Sequence, residues 1–233
     1  MTEVGEGVRA DGDGAQRVGV LGRFTSGVYW FLIVGLLLVA TTLPGSVPLM
    51  LLDRSAGNIP LVALCLVPLG PALAAALFAL RDRTRAEALT PGRSFVRGYR
   101  LNATDVLKLW VPALAVETMI GISLANLGLA GVPTGYGAVL VVIGVLVAVW
   151  SLQAVVIASL FALRTRDVAR LAVYYMGRTP LVALGVLGTL VVTFALVYLT
   201  FDAMLALAGP LLVHMLLRTC DAMVRHVEST FIA

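Results

Sequence analysis

From Tyr136 to Leu163 not one residue carries a charge. Wound as a helix at 1.5 Å per residue, that stretch exceeds the ~30 Å hydrocarbon core of a bilayer. Five other apolar stretches accompany it: roughly 24–52, 59–80, 109–130, 180–201, and a last one starting near Ala203. With 60% hydrophobic and only 13% charged residues, 233 residues offer too little polar surface to cover such runs in water. The sequence therefore predicts an all-α, polytopic transmembrane bundle of six spans. The sixth is the shortest, since only fifteen residues separate Asp202 from Arg218. It crosses if Arg218 snorkels to the headgroups and the helix continues toward His226; otherwise it is re-entrant.

Charge sets the expected orientation. Sixteen of the seventeen Lys and Arg residues fall at one side if the N-terminus is cytoplasmic, with seven of them between Arg81 and Lys108. Cytoplasmic connections are enriched in Lys and Arg, so both termini are expected inside a cell membrane. The same bias accounts for the net charge of +4 without a nucleic-acid partner. Residues 1–23, polar and lacking an apolar period, read as a disordered tail rather than a cleavable signal peptide. Residues 227–233 read as a short second tail, leaving 24–226 as the membrane domain. Cys65 and Cys220 stand in or near apolar segments without metal-ligand spacing and read as buried thiols.

The segment 81–108 interleaves positive charge with apolar residues. Thr90-Pro91 has the form of a helix start. On a helical wheel, Phe95, Val96, Tyr99, Ala103, Val106 and Leu107 share one arc, with Arg93, Arg97 and Arg100 beside it. This predicts a basic amphipathic helix on the inner membrane face that contacts lipid headgroups, runs into the third span and is anchored by Trp110. Docking of a partner protein, or of a phosphorylated ligand, is the alternative use of the same face.

Pro68-Leu69-Gly70-Pro71-Ala72, followed by Ala75-Ala76-Leu77-Phe78-Ala79-Leu80-Arg81, resembles the signature of the YesL-like family, a domain of unknown function. Members show a Pro-x-x-x-Gly-Pro-Ala-x-x-Ala-Leu-like run. A cytoplasmic segment with an early aromatic and an Asn then follows, matched here by Phe95, Tyr99 and Asn102. The region around Trp30 also fits, and the similarity is concentrated in residues 28–115. In this chain Gly-Pro follows only one residue after Pro68. The resemblance implies a bacterial integral membrane protein without an established biochemical activity, often encoded near carbohydrate uptake systems. It implies no catalytic residues.

Within the spans, Glu117 must face the bundle, because a charged carboxylate against lipid costs about 2.5–3.5 kcal/mol on insertion scales. Matching depths from the helix ends predicts a contact between Glu117 and Gln153, with His214 at comparable depth in a polar cluster. Gly121, Leu124 and Gly128 share the Glu117 face, and Gly144, Ala148, Ser151 and Ser159 form a seam of small residues in the fourth span. Pro44-Gly45 and Pro68, Gly70 and Pro71 are expected to break or kink the first two spans. Leu77-Phe78-Ala79-Leu80-Arg81 also recurs as Leu160-Phe161-Ala162-Leu163-Arg164.

Enzyme motifs are absent from the sequence: no phosphate-binding loop, zinc spacing or nucleophile–base set appears, and no cofactor is implied. The expected function is a non-enzymatic accessory component, touching membrane lipids and linked through a sugar transporter subunit or another membrane or cytoplasmic protein to carbohydrate uptake. A small permease with Glu117 lining the path, or a lipid-organising scaffold, is the alternative.

Overall fold

The computed structural model describes the backbone of residues 9–53, 55–82, 90–131, 133–199 and 202–231. Side chains are described for 25–53, 55–82, 90–129, 131, 133, 135–196 and 208–227. The described residues are all-α. The helices are α1 (Arg9–Leu51), α2 (Ile59–Leu66), α3 (Leu69–Asp82), α4 (Pro91–Ala125) and the short α5 (Leu127–Ala130). Then follow α6 (Thr134–Leu160), α7 (Thr165–Arg178), α8 (Pro180–Leu199), α9 (Asp202–Thr219) and α10 (Asp221–Phe231).

Among the described residues, four segments are long and apolar enough to cross a membrane: Thr25–Leu51, Ala56–Asp82, Pro91–Ala125 and Gly135–Leu160. Helices α7 and α8 meet at a bend of 103° and together form either a fifth, broken span or a re-entrant pair. This is the architecture of a multi-pass membrane protein, with four or five spans evident where six were expected. The expected sixth corresponds to α9, whose first residues lie among those without described side chains.

Packing follows small residues. A methyl group on Gly98 of α4 would sit 2.8 Å from Cβ of Phe78, and one on Gly35 of α1 would sit 2.6 Å from the Pro210 ring of α9. Gly45 abuts the Cys65 carbonyl and Gly185 abuts Thr219, each too closely for a side chain. Helix α3 buries Ala72, Ala74, Ala75, Ala76 and Ala79, which lets its neighbours approach its backbone. Between helices in lipid, such close contact replaces the hydrophobic driving force available in water.

Neighbouring long helices run antiparallel. Glu117 of α4 lies against Gly144 of α6, and Asn102 of α4 bonds the Ser159 carbonyl of α6. Phe31 of α1 meets His214 of α9, while Leu38 of α1 meets Gly209. Helix α6 is central. Every residue from Ser151 to Ser159 is buried, whereas Val139, Val141, Val142, Ile143, Val145 and Leu146 stay exposed as a lipid-facing surface should.

Several sequence expectations change. The tail expected to be disordered is helical from Arg9, since extending an existing helix avoids the cost of a new nucleus. The C-terminal tail expected from residue 227 likewise continues in α10 as far as Phe231. Pro44 and Gly45 do not break α1, which is continuous through both Pro44 and Pro48. The second span does break, at Val67-Pro68; Gly70 and Pro71 instead occupy the first turn of α3, where a missing N–H costs little.

The basic connection after α6 is not irregular either. It forms α7, which buries Val168, Ala172 and Tyr175 at helical spacing and leaves Val173 and Tyr174 exposed. Trp150 ties it to α6 by donating its indole N–H to the Ala169 carbonyl, 3.2 Å away.

Candidate functional site

The arginine-bearing part of α4 is the same helix as the third span. Thirty-five residues run without interruption from Pro91, with Thr90 before it as expected but making no side-chain cap bond. Most of the apolar stripe of this part turns into the protein. Phe95 and Val106 are fully buried in the protein core and Tyr99 packs against it. Ser94 donates its hydroxyl to Asp82 at 2.6 Å, and Asn102 donates its amide to the Ser159 carbonyl at 3.2 Å. The expected in-plane amphipathic helix is thereby corrected in part: Phe95, Tyr99 and Val106 are satisfied internally, whereas Val96 of the same arc stays exposed.

Trp110 is corrected as well. It is buried, not an interfacial anchor, and its indole N–H reaches the Leu66 carbonyl at 2.9 Å. That carbonyl ends α2 at the break, where the regular helical ladder stops. The ring packs on Gly70, where a methyl group would lie 2.6 Å from Cγ. Gly70 is thus a seat for the indole.

What remains outward is charge. Arg93, Arg97 and Arg100 are exposed together with Val96 and Leu101. With Leu37 of α1 and Gly92 they line an open groove of about 620 Å³. Among the described residues none of the three arginines forms an ion pair, whereas the nearby Lys108 bonds Asp105 at 2.8 Å. Three guanidinium groups at positions i, i+4 and i+7 are held on a helix whose opposite side is locked.

The intramembrane polar residues do not assemble. Glu117 faces Gly144, with one carboxyl oxygen buried and unbonded. Gln153 is fully buried with neither amide atom bonded within the protein. His214 stacks edge-on against Phe31 with ring centroids 5.4 Å apart. The expected Glu117–Gln153 contact is absent because the register differs. Asn102 and Glu117 are fifteen positions apart, as are Gly144 and Ser159. Gln153 therefore falls level with Lys108, about 13 Å along the bundle from Glu117.

Of the small residues, Gly121 receives Ile59 of α2 at 3.3 Å from a would-be methyl, and nothing approaches Gly128. The buried hydroxyls of Ser151 and Ser159 bond back to the carbonyls of Ala148 and Val156.

One juxtaposition lay beyond sequence reasoning. The two copies of Leu-Phe-Ala-Leu-Arg meet: Arg81 of the first donates to the Leu160 carbonyl of the second at 3.4 Å and sits over the Phe161 ring, 5.3 Å from its centroid. The guanidinium thus closes the C-terminus of α6, where a cation is favoured. Among the described residues, no three His, Cys, Asp or Glu side chains gather as metal ligands. No protein-family model matches this chain, and no curated protein or solved structure matches it either.

Proposed function

We propose that this chain is a non-enzymatic accessory protein of the cytoplasmic membrane that works by association, through the arginine face of α4 on the cytoplasmic side. In this reading α9 completes six spans and both termini are inside. One observation carries it: Arg93, Arg97 and Arg100 are presented without ion partners among the described residues, on a helix clamped by Phe95, Gly98, Ser94 and Asn102. An arginine array on a fixed helix spends no backbone entropy on meeting an acidic surface. The resemblance to YesL-like proteins suggests carbohydrate uptake as the setting.

Glu117 belongs to helix packing in this account. It lies in an interface with Gly144 and Ile120, and the two open grooves described, on α1–α4 and on α6–α7, do not include it. Mild-detergent purification from native membranes tests the reading. The R97E/R100E variant is expected to lose its bound component at unchanged abundance, whereas E117Q keeps it. If the purified protein alone moves a solute across liposomes, and E117Q abolishes that flux, the chain is a permease and the association reading fails.

A further inference from the structure

The groove between α1 and α4 joins two unlike surfaces. One wall is the exposed arginine face, Arg93, Arg97 and Arg100. The other is Leu37, whose helix continues outward-facing leucines at 32, 36 and 43. Val96 and Leu101, both exposed, lie between the charges.

The two surfaces continue along their helices. On α4 the large exposed side chains after Lys108 are apolar, from Val111 through Val116, Met119 and Ile122.

We infer that this groove binds the phosphate of an anionic phospholipid, with an acyl chain laid along the leucines of α1. The inference rests on the association reading and names the ligand of that arginine face. A free phosphorylated solute would use the guanidinium groups and leave Leu37, Val96 and Leu101 uncovered. A lipid uses both. The volume also falls within the ~300–1,000 Å³ typical of small-ligand clefts.

Native mass spectrometry of the full chain in mild detergent tests it, with phosphatidylglycerol, phosphatidylcholine and glycerol 3-phosphate as probes. Wild type is expected to retain phosphatidylglycerol over phosphatidylcholine. Near a membrane surface each basic residue contributes about fivefold, so R97Q/R100Q should lose about 25-fold of that preference. Its binding of phosphatidylcholine and its monodisperse elution should stay unchanged, showing that it is folded. R166Q/R170Q, on α7, should keep the preference.

Equal retention of the two lipids by wild type, or a preference surviving in R97Q/R100Q, would overturn the inference. Displacement of phosphatidylglycerol by millimolar glycerol 3-phosphate would reassign the groove to a soluble ligand. If lipid preference is absent while R97E/R100E still loses a bound component, the lipid assignment fails and the association reading stands.

Discussion

Trp110 carries two jobs that a sequence position alone does not reveal. An aromatic next to a lysine at the mouth of an apolar run has the pattern of an interfacial anchor. The fold instead turns it inward, where its N–H bonds the Leu66 carbonyl and its ring covers Gly70. W110F keeps most of the ring and removes the donor. It is expected to destabilise the protein by about 1–3 kcal/mol, the cost of a buried acceptor left unbonded, read as a lower midpoint of thermal unfolding in detergent. An unchanged midpoint would mean the carbonyl finds another donor. Glu117 was readable as a residue that must avoid lipid. Its neighbour was not, because depth counted from helix ends assumes a shared boundary. Helix α4 begins eighteen residues before the expected span and α6 ends three residues early, at Leu160.

At the scale of elements, α3 and the first half of α4 form the rigid body on which the arginine face stands. Their contact depends on Gly98, where a methyl group would collide with Phe78. G98A should therefore destabilise by about 1–3 kcal/mol, as overpacking does, despite alanine's better helix propensity. G128A, in α5 with nothing within contact distance, should cost nothing. Comparing the two midpoints separates packing from propensity; equal effects would refute the close approach. Helix α7 was hidden for a different reason. It falls between two apolar stretches and, counting Arg164 before it, carries four Arg residues. The buried Val168, Ala172 and Tyr175 recur at i, i+4 and i+7, a helical period present in the sequence.

At the scale of the whole molecule, sidedness can be measured directly. In a variant with Cys65 and Cys220 replaced by alanine, S55C is expected to react with a membrane-impermeant maleimide in intact cells. R97C should react only after permeabilisation, because both positions are exposed and lie at opposite ends of the bundle. The reverse pattern would place the arginine groove outside and remove the basis for a cytoplasmic role. The sequence by itself determined that the chain is helical and threaded repeatedly through lipid, because long uncharged runs have no other stable environment. It also determined that Arg clusters at one end, since charge is a property of composition along the chain. Only the tertiary structure decided which face of each helix is spent on protein and which is left outward. The same Phe95, Tyr99 and Trp110 suit lipid or core equally well by chemistry. The choice was made by the alanines and glycines of neighbouring helices, which let α3 and α6 come close enough to claim them.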